Sequence, residues 1–579
     1  MDPLSFYGRI RKNSNSDFDN RTGISDDSSD EEDFSSGSDD NYICEDVNDS
    51  SDSESDNENN LFDEWPQIAS TSTSSVRQEW SNDIAEAQKI PFIAKHGLNK
   101  RIVIEDGVPL PINIFEQFFD SEIVDLMVLE TNQYAEQFLE SNQVRRNSRM
   151  KRWSNTTHAE MKKFIGVIIT TGIIKYPNIE DYWRMEPLFY HPLFHNIGMS
   201  YNRFCLILKN WHVADNKTAN PGDRLHKISN FLNTFISNIQ EIYTPGEEIS
   251  VDETMISHSG RLLFKQYNPG KSHKYGIKLF KLCDMTGYVW NFSVYCGKGT
   301  SEKLPGLDHA GSIVASLAED LLNEGRLLVA DNWYSSIPLA MFLKNKNTEF
   351  CGTLRSNRVG LPNLKSFKLT RNEIAGAINS TGIRVMKYQD KKEIRLISTF
   401  HGLNMQETGK KNREGKIVKK PVIILDYNRV KGGIDLSDQM ISYYSPARKS
   451  VKWYRKVLFE CISIAILNSW VLYNKFYSNK QMKLEQFTKS IANSLLGITE
   501  ERTTMKKTKN TPHELSEIPR KDDGKLVRKR CLGCYKKLAE SHNRNTASTK
   551  SKQVNTQCIE CQKPYCLPCF NEIHNNYTS

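Results

Sequence analysis

At residue 247 the hydrophobic period of this chain changes, and the change limits what the chain can fold into. From about 100 to 246 apolar residues recur at helical spacing. Phe115, Phe118, Phe119, Ile123, Leu126 and Met127 form one stripe. Leu225, Ile228, Phe231, Leu232, Phe235, Ile239 and Ile242 form another, stopped near Pro245. Between them, Thr157 with Glu160 three residues on predicts a capping box at the head of a third helix. Beyond 247 come strand-like runs at 248–251, 262–267, 275–283 and 288–295, separated by turns at Asn268-Pro269-Gly270 and Asp284-Met285-Thr286-Gly287. A helix is predicted over about 312–323, then a strand running into Asp331, a helix over 337–344 and a strand over 349–355. Three strands in a meander, then helix and strand in alternation, describe a mixed α/β sheet covered by helices.

That is the outline of a ribonuclease-H-like core, although other α/β folds share it. Residues 358 to about 420 are polar and weakly patterned, with β-like pieces at 383–388 and 393–398, and read as an insertion. A strand is expected over 421–427. Lys431-Gly432-Gly433 then reads as a turn opening a helix, with Asp435 and Asp438 three residues apart on one face. Helices resume to about 496. The longest apolar run, 457–473, is interrupted by Glu460, Ser463 and Asn468, which predicts a buried helix rather than a membrane span.

Charge is unevenly spread. Of the 77 Lys and Arg and 70 Asp and Glu, residues 1–65 hold 4 and 20, which leaves the remainder at +23. A basic body points to a polyanionic partner, nucleic acid above all. Residues 1–85, rich in Ser and Asp, cannot bury enough apolar surface to offset their ordering entropy. They are expected to be a disordered acidic tail, either a plain solubilising segment or one whose acid-flanked serines are open to phosphorylation. The first residues lack the apolar run of a secretory signal, and six of the 12 cysteines are scattered singly over 44–461, as suits a reducing compartment. A soluble intracellular protein without membrane association is the expectation.

The other six cysteines form three C-x2-C pairs, Cys531 with Cys534, Cys558 with Cys561 and Cys566 with Cys569, followed by His574. Such pairs chelate tetrahedral zinc, and two ions need eight ligands. Seven are plain, and His542 is the best candidate for the eighth. Alone, the motif suits a RING- or PHD-like interaction module, hence a zinc-dependent ubiquitin ligase, as well as it suits a DNA reader. The acids form the other constellation. Asp252 and Asp331 end apolar strands, while Asp435 and Asp438 start a helix. Mg²⁺ or Mn²⁺ takes oxygen ligands, and two such ions about 3.5–4 Å apart can activate an attacking oxygen and steady a leaving one in phosphoryl transfer. Singly, such acids are usually caps or turn residues, Asp435 as an N-cap and Asp438 as a first-turn dipole partner. Taken together they read as one metal-binding cluster.

Five stretches carry a resemblance. They are Val251-Asp252-Glu253, Ala330-Asp331-Asn332-Trp333-Tyr334-Ser335-Ser336, Gly352-Thr353-Leu354-Arg355-Ser356-Asn357-Arg358, Asp426-Tyr427-Asn428, and Lys431-Gly432-Gly433-Ile434-Asp435 with Asp438-Gln439. They resemble the signature stretches of piggyBac-type transposases, from about residue 100 to the C-terminus. The resemblance implies a ribonuclease-H-like catalytic core at 247–357 and 421–446, interrupted by an insertion domain at 358–420. It implies a split helical dimerisation and DNA-binding domain at 100–246 and 447–500, a basic linker at 501–530 and a cysteine-rich zinc domain at 531–579. Asp252, Asp331 and Asp435 fall on the family's metal triad, and Asp438 on a fourth important acid. Arg355 and Arg358 match DNA-contacting positions. Trp453, within the basic run from Arg448 to Lys456, matches an aromatic that meets the DNA end. Where the family has Arg-Gly-Arg, this chain has Ser259-Gly260-Arg261, so only Arg261 carries over. The resemblance further implies two Zn²⁺ in crossed arrangement reading the terminal repeats, a homodimer and a nuclear location. Its substrate would be double-stranded DNA, nicked at transposon ends, closed into hairpins and joined into TTAA targets. A domesticated relative that binds DNA or chromatin without transposing fits the same motifs.

Overall fold

The helical stripes before 247 become α1 (Ser121–Ser141), α2 (His158–Ile173) and α3 (Ser229–Ile242). The structure is a computed structural model that describes residues 79–574, apart from 86, 101, 103–106, 108, 221, 270–273, 298–302, 412–414, 416, 478–480, 499–512, 521–523, 542 and 560. Each stripe is buried: Ile123 and Met127 on α1, and Phe231, Phe235 and Ile239 on α3, where Phe119 packs edge-on to Phe235 at 5.5 Å. The Thr157 hydroxyl caps α2, accepting from the Glu160 amide at 3.3 Å. The return half of the expected capping box does not form. The Glu160 carboxylate turns instead to the Arg203 guanidinium, at 2.6 and 2.8 Å, because a bidentate charge-assisted pair is stronger than one bond to a neutral amide.

Beyond 247 the strands gather into one sheet. β1 (Glu248–Ser257), β2 (Tyr275–Asp284) and β3 (Val289–Val294) form an antiparallel meander. β4 (Leu327–Ala330) lies parallel to β1, and β5 (Glu349–Thr353) parallel to β4, so the order across the centre is β3-β2-β1-β4-β5. α4 (His309–Leu317) precedes β4, and α5 (Ile337–Asn345) makes the crossover from β4 to β5 that a parallel pair requires. Of residues 262–267 only Gln266–Tyr267 pairs, with β2, while the Lys265 amide closes a turn onto the Leu262 carbonyl at 3.2 Å.

The stretch after 358 extends the same sheet. β6 (Ile374–Asn379), β7 (Arg384–Gln389) and β8 (Glu393–Ser398) are antiparallel neighbours, and β8 pairs with β5. A hairpin of Met405–Lys411 and Ile417–Pro421 follows. At the far edge Trp80–Ser81 pairs with β6, so the acidic segment expected to be disordered to 85 is already part of the sheet at Trp80. The remainder of that segment, 1–78, lies outside the described residues.

One expected strand is a helix. Residues 421–427 lead into α6 (Val422–Tyr443), not a strand. Val422-Ile423-Ile424 looks β-forming by composition, but Ile423, Tyr427 and Val430 repeat at helical spacing. With Ile424 they cover Leu327, Val329, Cys351, Met386 and Leu396 on one face of the sheet. Lys431-Gly432-Gly433 therefore lies inside α6 and is not a turn. Gly433 is small for another reason: a Cβ there would run into the Asp284 carbonyl oxygen at the end of β2.

Val251, Phe280, Leu328 and Phe350 point to the opposite face of the sheet and belong to one large core that also takes in α1–α3, α7 (Trp453–Leu472) and α8 (Leu484–Leu496). The stretch Trp453–Tyr477 is long and apolar enough to cross a membrane, but 78% of its most apolar window is buried in protein. Its polar interruptions are each satisfied there. Glu460 meets the Lys281 ammonium at 2.9 Å, Ser463 donates to the Phe459 carbonyl at 3.0 Å, and the Asn468 amide brackets the Val289 backbone at 2.8 and 2.9 Å.

The C-terminal module begins earlier than expected, inside the stretch read as a basic linker. Leu515–Glu517 pairs with Thr556–Cys558, and Lys529–Arg530 with Gln553–Val554. Helices at Leu532–Ala539, Arg544–Lys550 and Leu567–His574 complete it.

Candidate functional site

Strand alternation places the first two acids. Ser250 pairs with Val329 and Val251 with Ala330, so Asp252 and Asp331 continue the register as the next neighbours on β1 and beyond β4. Side chains two apart share a face, and Val329 faces α6, so Asp331, and beside it Asp252, face α6 as well. β1 does not end at Asp252; it runs on to Ser257, paired throughout with β2. α6 carries Lys431, Asp435 and Asp438 over this face, each about one turn from the next. Because all three sit well inside α6, Asp435 is not an N-cap and Asp438 is not a first-turn residue.

Asp331 is half-buried and well held. Its Oδ1 accepts from the Thr353 hydroxyl at 2.8 Å and the Tyr427 hydroxyl at 3.4 Å, and its Oδ2 lies 3.8 Å from the Lys431 ammonium. Burial pushes its carboxyl up, but Lys431, the Asn332 amide and the Thr353 hydroxyl together hold it below the usual carboxylate range. For Lys431 the balance runs the other way. Burial pulls the ammonium down, while Tyr427, Asp331 and Asp252 hold it well above the ordinary lysine range. Asp252 accepts from the Glu253 amide at 2.8 Å, and the neighbouring Glu253 carboxylate takes the Tyr334 hydroxyl at 3.1 Å. Asp435 is exposed. Asp438 is engaged by the Thr254 hydroxyl and the Lys281 ammonium. Sequence reasoning missed Thr353, Tyr427 and Lys431 as partners of Asp331, although all three stand inside the quoted motifs.

The basic residues fall into two groups. Arg355 and Arg358 surround the loop leaving β4: Arg355 donates to the Asn332 side chain at 3.1 Å, and Arg358 to the Asn332 and Trp333 carbonyls and to Asp308 at 3.2 Å. Burial pulls the Arg358 guanidinium down despite Asp308. Arg261 is exposed on the loop leaving β1. Phe264 of that loop meets the Trp453 ring edge-on at 5.1 Å. Within the basic run before and after Trp453, Lys452 donates to the Tyr134 hydroxyl at 3.0 Å and Lys456 to the Arg448 carbonyl at 2.7 Å, so part of that charge serves packing.

The cysteines converge on two points. The sulfurs of Cys531, Cys534, Cys566 and Cys569 lie within 4.8 Å of one another, with three of the separations at 3.7 Å. A tetrahedron with metal–sulfur distances of about 2.3 Å has edges of about 3.8 Å, so this donor set fits zinc. All four are free thiols. Burial pushes the Cys531 thiol up, but the amides of Cys534 and Cys566 hold it at about 7, poised for a thiolate. Gly533 permits the closure, since a Cβ there would collide with Cys569. The second group is Cys558, Cys561, His574 and His513, with His513 Nδ1 at 3.2 Å from the Cys558 sulfur and His574 Nε2 at 3.5 Å from the Cys561 sulfur. His542, the expected eighth ligand, lies outside the described residues. His513 was missed because it stands in what reads as a basic linker; the alternating Leu515-Ser516-Glu517-Ile518 just after it was the available signal. Among the described residues only these two groups bring three or more such ligand atoms within 4.8 Å of one another, so the acids of the sheet stand further apart.

A family model described as Transposase IS4 matches residues 110–470. PiggyBac transposable element-derived protein 3 of Homo sapiens is 27% identical over 396 residues, covering 66% of this chain and 64% of that protein. PiggyBac transposable element-derived protein 2 of Homo sapiens is likewise 27% identical over 395 residues, with 66% and 64% covered. The chain thus spans less than two thirds of the length of these relatives. Among solved structures, a cryo-EM structure of a piggyBac transposase synaptic complex with hairpin DNA superposes with a TM-score of 0.61 at 24% identity, covering 82% of this chain and 100% of that one. That likeness is one of fold.

Proposed function

The chain belongs to the piggyBac transposase family, and we propose that it is a DNA transposase that cuts at transposon ends and joins them into TTAA targets. The observation that carries this reading is the juxtaposition of Asp252 and Asp331 at neighbouring strands with Asp435 on the helix laid over them. The strand order β3-β2-β1-β4-β5, antiparallel then parallel, supports a ribonuclease-H-like core. On this reading Asp252, Asp331 and Asp435 hold Mg²⁺ or Mn²⁺. The donor set suits it: the acids share one face, and Asp331 is kept ionised. When bound, the metal supplies charge stabilisation at the attacking and leaving oxygens of phosphoryl transfer. The chain's own residues do the rest. Thr353 and Tyr427 fix the Asp331 carboxylate, Lys431 balances it, and Arg355, Arg358, Arg261 and Trp453 line the approach for the DNA end.

The cysteine–histidine module holds two Zn²⁺ on this reading and reads the terminal repeats. The domain plan is proposed from the resemblance, with Trp80 and the stretch after 358 joined to the sheet and the zinc module extended to His513. A homodimer acting in the nucleus belongs to the same proposal. A second reading, a transposase-derived DNA-binding protein that no longer transposes, is favoured by Ser259 standing where the family has an arginine. One experiment separates them. Duplexes carrying the repeats that flank the gene are incubated with protein and Mg²⁺. Nicking that is lost in Asp252→Asn, Asp331→Asn and Asp435→Asn supports the transposase; tight binding without nicking supports the second reading.

A further inference from the structure

Lys281 has no exposed surface, yet it lies on the acidic face of the sheet. It stands directly across from Asp252 in the register of β1 and β2. A buried ammonium needs partners, and breaking such a pair leaves an uncompensated charge. Two carboxylates serve here. The Lys281 Nζ donates to Asp438 Oδ1 at 3.2 Å and to Glu460 Oε1 at 2.9 Å. Asp438 belongs to α6 and Glu460 to α7. From β1, the Thr254 hydroxyl donates to the Asp438 carboxylate, 2.8 and 2.9 Å from its two oxygens. Sheet, α6 and α7 are therefore pinned together at one charge cluster. A carboxylate already neutralised by an ammonium and a hydroxyl is a poor ligand for a divalent cation, which the ammonium repels. Asp435, one turn back on α6, is exposed toward solvent.

Resting on the transposase reading above, we propose that Asp438 is a positioning residue rather than a metal ligand, and that the Lys281–Glu460 pair fixes the rotation of α6 that presents Asp435 to Asp252 and Asp331. Neither Lys281 nor Glu460 was evident as part of the site from the motifs.

The test is a double-mutant cycle on Mn²⁺ affinity, read from the electron paramagnetic resonance signal of free Mn²⁺ in titrations of the zinc-loaded full chain. Lys281→Met alone buries two carboxylates without a counter-charge and risks unfolding. The paired change Lys281→Met with Glu460→Gln is therefore used, alongside Asp438→Asn, and melting is followed in parallel. Each should weaken Mn²⁺ binding by about tenfold, the lower end of what losing a ligand-orienting partner costs. Neither should weaken it further once Asp435 is already Asn, because both act through Asp435. Unchanged affinity in the paired variant overturns the proposal. So do losses that add in full to Asp435→Asn, since they would make Asp438 a ligand in its own right or the pair a general scaffold. If Asp252→Asn, Asp331→Asn and Asp435→Asn all bind Mn²⁺ as the unaltered chain does, the metal reading of the acids fails, and this proposal with it.

Discussion

On the transposase reading, Asp331 shows how much of the site is prepared by single residues before a metal binds. Thr353 and Tyr427 orient its carboxylate, and Lys431 supplies a positive charge 3.8 Å away. Replacing any one of Asp252, Asp331 or Asp435 with Asn should lower Mg²⁺-dependent nicking by more than the roughly 10–100-fold that loss of an outer partner costs. Near-normal nicking by one of the three would remove it from the site. Lys431 gives a second prediction. Without a metal its ammonium separates like charges, so Lys431→Met should lower the melting temperature in chelator, by an amount set by a half-buried pair worth up to about 1 kcal/mol. Added Mg²⁺ should restore it. The sign with pH follows from both partners. The Asp331 carboxyl is lowered in the fold, so its contribution is present above the unfolded value of about 3.9 and lost as pH falls through the lower folded value. The Lys431 ammonium is raised, so its contribution is present below about 10.4 and lost as pH rises through the folded value. The difference between Lys431→Met and the unaltered chain should therefore be flat at neutral pH and shrink toward both extremes.

At the scale of elements, α6 is where packing decides what the residues mean. Gly432 and Gly433 are adjacent in one helix, yet they differ in surroundings. A Cβ at Gly432 meets nothing within 4 Å, whereas one at Gly433 runs into the Asp284 carbonyl. Gly432→Ala should stabilise the chain by about 0.5–1 kcal/mol through helix propensity. Gly433→Ala should destabilise it by about 1–3 kcal/mol or more through overpacking, and should weaken metal binding by lifting Asp435. Chemical denaturation of the two variants checks the contrast, and equal effects would mean that the helix–strand contact is looser than described. The same element marks the limit of what the sequence discloses. Period changes located the sheet, the helical stripes and the buried α7, because those signals repeat over many residues. The motifs also brought Asp252 and Asp331 to neighbouring strand positions. The start of α6 was misread because Val422-Ile423-Ile424 is β-branched and short, and only the sheet beneath it rewards a helix. Lys281 and Glu460 were illegible because they lie 179 positions apart and meet only across β2 and α7. His513 was hidden by distance in the same way, 45 residues before the cysteine it meets.

For the whole molecule, the transposase reading divides the work between two charged modules and a zinc-dependent one. Structural zinc contributes on the order of 10 kcal/mol or more in small peptides. The C-terminal module has a small core built largely from its own ligands, Cys531, Cys558, Cys566 and Cys569 with Val554, Tyr565 and Phe570. Metal analysis of isolated residues 513–579 should give two zincs. Residues 525–579, which lack His513, should keep one tightly and the other only weakly; two tight zincs there would assign the eighth ligand elsewhere. On the transposase reading, DNA affinity follows from the charge map. The chain beyond residue 65 is +23, while residues 1–65 carry 20 acids against 4 bases. Each phosphate neutralised releases counterions, so binding must weaken steeply with salt. A covalently joined polyanion competes for the same basic surfaces at an effective concentration set by its tether. Removing residues 1–78 should therefore raise affinity for random duplex DNA, most at low salt, where screening is weakest. Removing residues 513–579 should instead lower preference for the terminal repeats while sparing much of the nonspecific binding. A salt titration of the full chain and both truncations, on repeat and random duplexes, measures all of this. Unchanged low-salt affinity after removal of 1–78 would mean that the acids do not meet the DNA-binding surface. An equal fall on both duplexes after C-terminal removal would mean that the zinc module contributes charge and not sequence recognition.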